Sequence, residues 1–104
     1  MPEILVLATF PDIKRARQIG TALIEKQLAA CVNLLPSVES IYRWKGQVER
    51  AIEVQAVIKT TSERYAELES ELRALHPYEV PEIIGIEIER GLPDYLAWIR
   101  QSVQ

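Results

Sequence analysis

Apolar and polar residues follow two different rhythms along this chain, and each change of rhythm marks a new element. Residues Glu3-Ile4-Leu5-Val6-Leu7-Ala8-Thr9-Phe10 form a short, nearly continuous apolar run, the pattern of a strand that is central in its sheet. Pro11 closes the run, and Asp12 is suited to accept a hydrogen bond from the first free amides of a helix. Ile13, Ala16, Ile19, Gly20, Leu23, Ile24 and Leu28 then recur three and four residues apart, with Lys14, Arg15, Arg17, Gln18 and Lys26 outside them. This spacing predicts an amphipathic helix. An extended pattern returns in Cys31-Val32-Asn33-Leu34-Leu35, breaks at Pro36 and resumes from Val38 to Arg43. Pro36 has no N–H to give to a ladder, so it predicts a bulge or an edge strand. Lys45-Gly46 supplies a turn. From Val48 to Thr61, Ile52, Val54, Ala56 and Ile58 alternate with Glu53, Gln55, Val57 and Lys59, giving a strand with two unlike faces.

The helical rhythm then returns: Tyr65, Leu68, Leu72 and Leu75 form the stripe of a second helix starting near Ser62, and Pro77 stops it. Glu82 to Ile88 reads as a fourth strand. Gly91 breaks the chain, and Pro93 opens a terminal helix carrying Tyr95, Leu96, Trp98, Ile99 and Val103. The order is β-α-β-β-α-β plus a terminal helix. It predicts an α+β, ferredoxin-like domain: a four-stranded antiparallel sheet with both long helices on one face and an extended central hairpin. Each central strand of about 13 residues would reach roughly 43 Å at about 3.3 Å per residue. A compact chain of this length has a radius of gyration near 13 Å, hence a diameter of about 33 Å. The hairpin must bend at Pro36, project from the body, or both. Projecting strand edges aggregate unless another subunit covers them, so closure into a symmetric homo-oligomer is expected.

Composition narrows the function without choosing one. The 104 residues suffice for a single domain, 1–104, with its own core. A net charge of −3 argues against nucleic acid, whose phosphates require clustered Lys and Arg. No apolar run approaches the roughly 20 residues of a membrane span. The start of the chain has no basic-then-apolar leader, and Cys31 is the sole cysteine. A cytoplasmic protein without an internal disulfide is therefore expected.

The chemistry concentrates in His76-Pro77-Tyr78-Glu79-Val80-Pro81-Glu82-Ile83, which holds the only histidine, two of the six prolines and two carboxylates. The prolines make it a stiff connector. Cys31, His76, Glu79 and Glu82 are donors suited to copper or zinc. No CxxC, HExxH or second histidine accompanies them. Cys31 in an apolar run also reads as a small buried hydrophobe, and His76 at a helix end as a cap or a dipole partner. Enzymatic function is not expected: no Gly-rich phosphate loop is present, and no motif orients a Cys31–His76 pair. The second central strand, Ala51 to Ile58, carries no aromatics for stacking RNA bases. Tyr42 and Trp44 share a face near the hairpin tip, where they form a docking platform, a ligand pocket or a subunit contact. Lys59, with Thr60 and Thr61, offers polar donors at a strand end.

Five ordered motifs carry a resemblance over nearly the whole chain: Ala29-Ala30-Cys31-Val32-Asn33 followed by Pro36; Ser40-x-Tyr42-x-Trp44-x-Gly46; Ile58-Lys59-Thr60; His76 to Ile83; and Tyr95-Leu96-x-Trp98-Ile99. In these the chain resembles the CutA family, the divalent-cation tolerance proteins. The resemblance implies a homotrimer with hairpins paired between subunits, and an association with divalent metals that includes Cu(II) binding. Ala8 and Leu75 stand where some members carry Cys and His, leaving Cys31, His76, Glu79 and Glu82 as the implied ligand set. The architecture is also similar to the PII-type signalling trimers, which bind small effectors in clefts between subunits. That analogy makes Tyr42, Trp44 and Lys59 candidates for lining an effector or partner site.

Overall fold

A computed structural model describes residues 2–104. Its elements are β1 (Glu3–Phe10), α1 (Ile13–Glu25), β2 (Cys31–Trp44), β3 (Gln47–Thr61), α2 (Tyr65–Leu75), β4 (Ile83–Glu87) and α3 (Pro93–Ser102). The strands form one antiparallel sheet in the order β2-β3-β1-β4. The α+β, ferredoxin-like expectation holds.

Strand alternation builds the core. Ile4, Val6, Ala8 and Phe10 of β1 pair with Thr60, Ile58, Ala56 and Val54 of β3, and all eight are buried. Ala16, Ile19 and Leu23 of α1 and Leu68 and Leu72 of α2 close over this face. Asp12 caps α1 as its side chain predicts: the Asp12 Oδ1 accepts from the Arg15 N–H at 2.8 Å. Tyr65 crosses to the sheet over Gly85, where an added Cβ would meet the tyrosine ring at 3.3 Å. Ile99 of α3 and Val103, just past its end, are buried outside this main cluster. Arg100 bonds Glu3 at 2.8 Å, and Arg64 Nε donates to the Val103 carbonyl at 2.6 Å. These contacts fasten the terminal helix at the β1 start.

The central hairpin is as long as the sequence demands. The molecule measures 44 × 26 × 22 Å, well beyond the ~33 Å of a compact sphere of this length. Pro36 occupies a break in register between Leu35 and Val38, with Ser37 at φ 63°, and β2 is an edge strand. The expected bulge and edge position are thus both present. Lys45 and Gly46 sit at φ 50° and 81° and make a tight turn between paired Trp44 and Gln47. Positive φ at both central residues matches the right-handed twist of a two-residue hairpin.

Leu75 departs from the predicted buried stripe. Leu68 and Leu72 are fully buried, but Leu75 is exposed in the last turn of α2. Pro77 ends the helix there, so no further turn covers that position. The start of α2 also shifts from Ser62 to Tyr65. The Arg64 N–H bonds the Thr61 carbonyl and the Tyr65 N–H bonds the Ser62 carbonyl, a tighter turn that precedes the α-helix.

Candidate functional site

After Leu75 the chain leaves α2 through His76, whose backbone is extended at ψ 134° while its N–H still bonds the Leu72 carbonyl. This geometry drives the side chain inward. His76 is buried, its ring stacked on Phe10 with centroids 5.0 Å apart. Nε2 lies 2.6 Å from the Thr9 carbonyl, and the Tyr78 N–H donates to Nδ1 at 3.1 Å. A carbonyl can only accept and an amide N–H can only donate, so the ring is the neutral tautomer protonated on Nε2. Both nitrogens are occupied, and His76 pins the start of the connector to the end of β1.

The rest of the connector forms one wall of a cleft of about 830 Å³, and the hairpin forms the other. Tyr42, Trp44 and Glu53 face it from the hairpin; Tyr78, Glu79 and Glu82 face it from the connector. Tyr78 spans the two walls: its hydroxyl donates to Glu53 at 2.6 Å, and its ring packs against His76. Burial first, then the hydrogen bond to Glu53, pushes the Tyr78 phenol well above the ordinary tyrosine range. Beside Glu82, Gln55 Nε2 donates to the Ala8 carbonyl at 2.9 Å and reaches the Glu82 carboxylate at 3.4 Å. Among the described residues, no Lys or Arg lines the cleft.

The structure therefore divides the residues singled out in the sequence. Glu79 and Glu82 share the cleft, with His76 behind them. Cys31 is elsewhere: it pairs with Lys59, which pairs with Leu5, four residues along β1 from Thr9. That offset is about 13 Å along the strand plus about 10 Å across two strand spacings. The four-donor set of Cys31, His76, Glu79 and Glu82 does not assemble within one chain. Among the described residues, no three His, Cys, Asp or Glu side chains converge as a metal site. Tyr42 and Trp44 line the cleft together, but Lys59 does not; its ammonium bonds Asn33 and lies 3.9 Å from the Cys31 sulfur. Glu53 and Tyr78 are the functional candidates that sequence reasoning missed. Strand alternation marks Glu53 only as a polar position, and nothing in the sequence pairs it with a tyrosine 25 residues away.

Three comparisons bear on this arrangement. Residues 4–102 match the family described as CutA1 divalent ion tolerance protein. A divalent-cation tolerance protein CutA from Thermus thermophilus is 45% identical over 100 residues, covering 96% of this chain and 97% of its own. Protein CutA from Homo sapiens is 48% identical over 96 residues; this chain spans 54% of that longer protein. Among solved structures, the Thermus thermophilus protein superposes with a TM-score of 0.95 at 44% identity, covering 98% of this chain and 99% of its own. CutA from Xylella fastidiosa does so with a TM-score of 0.97 at 39% identity, covering both chains fully.

Proposed function

The chain belongs to the CutA1 divalent ion tolerance family, and from that premise we propose that it serves divalent-metal tolerance as a non-enzymatic cytoplasmic homotrimer that takes Cu(II). The assembly is supported by the projecting half of the hairpin, where Ile41, Val48 and Ile52 are each more than 60% exposed. A single chain has nothing to cover them, and exposed apolar surface of this kind marks an interaction site. No helix among the described residues is long and apolar enough to cross a membrane. The unpaired Cys31 suits a reducing compartment, although the Archaeoglobus fulgidus relative is described as periplasmic.

The donor chemistry supports a modest cation site rather than a closed cage. Glu79 and Glu82 offer carboxylate oxygens at the cleft, whereas His76 gives up a backbone hydrogen bond if it is to ligate. We therefore assign the cation to the carboxylates and to His76 the role of holding the connector. Cu(II) titration of wild type, the Glu79→Gln/Glu82→Gln double variant and His76→Ala tests this. The double variant is expected to lose most of the binding. Unchanged binding in it would overturn the carboxylate assignment, and binding abolished by His76→Ala in an intact fold would make the imidazole a direct ligand.

A second reading is an effector-binding signalling trimer. The observation that favours it is the cleft itself, walled by Tyr42, Trp44 and Tyr78 and within the roughly 300–1,000 Å³ typical of small-molecule sites. Trp fluorescence that responds to small metabolites and not to metals would support it. An unresponsive Trp44 signal across both would count against it.

A further inference from the structure

The outer hairpin has two sides, and assembly through Val48 and Ile52 accounts for one of them. We propose that the other side, with the connector, docks a proline-rich segment of a partner protein, extended along Tyr42 and Trp44 with a basic side chain directed to Glu79 and Glu82. Val38 pairs with Glu53, so Ser40, Tyr42 and Trp44 stand on the Glu53 side of the hairpin, whereas Val48 and Ile52 belong to the opposite side. Trp44 lies six residues along β2 from Val38, about 20 Å at about 3.3 Å per residue. No compact head group spans that length. A polyproline II segment does so in about six or seven residues, at about 3.1 Å each.

The lining suits such a segment in shape, in hydrogen bonding and in charge. Tyr42 and Trp44, two residues apart on one strand face, make an aromatic ridge opposite Pro77, Val80 and Pro81 of the connector, and aromatic-lined grooves accept proline rings. The Lys45 ammonium stands 5.8 Å from the Trp44 centroid, but Lys45 does not line the cleft, so the ring surface it covers is not the one that does. The exposed Trp44 indole and Tyr42 phenol are donors. A run of prolines brings carbonyl acceptors and no N–H of its own to satisfy. Glu53, Glu79 and Glu82 line the cleft, and among the described residues no basic residue does. Glu53 already accepts from Tyr78, which leaves Glu79 and Glu82 to pair with an arginine or lysine of the segment. Glu82 reaches Gln55, two residues inward of Glu53, so its charge lies at the end of the cleft away from Trp44. A bare metal ion gains little from the aromatic ridge, and a compact metabolite reaches only part of it.

This assignment rests on the cleft serving a ligand, as in the effector reading, and names a protein segment as the occupant. Its test is calorimetric titration of the chelator-treated, assembled protein with acetyl-Arg-Pro-Pro-Pro-Pro-Pro-Arg-amide, whose two basic ends serve either chain direction. Two analogues carry alanine for the prolines or glutamate for the arginines. Saturable binding of the proline–arginine peptide, at least tenfold tighter than either analogue, is expected. Trp44→Leu should weaken it several-fold while sedimentation shows the assembly intact. If that variant dissociates, Tyr42→Leu decides, with a similar loss expected. Equal affinity for the peptide and either analogue, or binding untouched by the assembled variant, overturns the docking assignment. Absence of peptide binding overturns it too, and the effector reading then stands or falls separately on the Trp44 response to small metabolites.

Discussion

The two halves of the β2–β3 hairpin obey the same alternation and end in different surroundings. In the inner half, Val54, Ala56 and Ile58 lie at 4%, 0% and 0% exposure beneath α1 and α2. In the outer half, Ile52 continues the same face at 62% and Val48 reaches 65%. Except at Arg50 the apolar face continues, but the helices end before the strand does. Alternation therefore identifies a face without saying what covers it. The inner half is covered by its own chain, and the outer half leaves its apolar side chains uncovered.

The sharpest way to break this contrast is a pair of equivalent substitutions. Ile58→Ala removes side-chain volume from a sealed core and should cost about 2–5 kcal/mol in chemical denaturation. That loss should be the same at every protein concentration. Ile52→Ala should fall within about 0.5 kcal/mol of wild type in the dissociated chain and destabilise only the assembled one. Because association stabilises by mass action, the melting temperature of wild type should rise with concentration. Equal losses in both variants under dissociating conditions would erase the distinction between the halves.

A smaller effect is expected where the inner half is tied to the rest of the fold. The fully buried Thr60 hydroxyl donates to the Leu28 carbonyl at 2.7 Å. Thr60→Val keeps the shape and leaves that carbonyl without its partner, a loss of about 1–3 kcal/mol, read by urea titration. Smaller again is the loss at the boundary between the halves, where Glu53 meets Tyr78. Tyr78→Phe should cost about 1 kcal/mol at neutral pH. Its clearer signature is alkaline. The phenol is held protonated in the fold, whereas in the unfolded chain it ionises near pH 10. Unfolding in that range releases a proton, so this stabilisation is complete below about pH 10 and is lost as pH rises through the higher folded value. Tyr65, raised by burial and by its bond to Glu69, contributes in the same direction. Tyr78→Phe should flatten the alkaline decline without removing it, and tyrosinate absorbance should show one fewer late-titrating group.

Fold and site were legible to different depths for physical reasons. β1 runs over Glu3–Phe10 as its apolar run indicates, and Asp12, Pro36 and Gly46 act where their backbone chemistry places them. These are local signals, set by a residue and its immediate neighbours. Leu75 was misread because helical spacing assigns it to the stripe, while its burial depends on a covering element that Pro77 prevents. His76 shows the same limit in chemical form. Its residue type suggests a ligand, but whether its nitrogens are free is decided by Thr9, 67 residues away. The cleft was half legible: Tyr42 and Trp44 were visible as a pair of unexplained aromatics. Glu53 became notable only once the fold buried it and brought Tyr78 to it.

The central claim is that the outer hairpin is completed by other copies of the same chain. Sedimentation equilibrium of the wild-type protein in dilute neutral buffer tests it directly. The account predicts a single species of three times the 11.9 kDa chain mass, shifted toward lighter species when Val48 and Ile52 are both replaced by Lys. An 11.9 kDa particle at every concentration would contradict it.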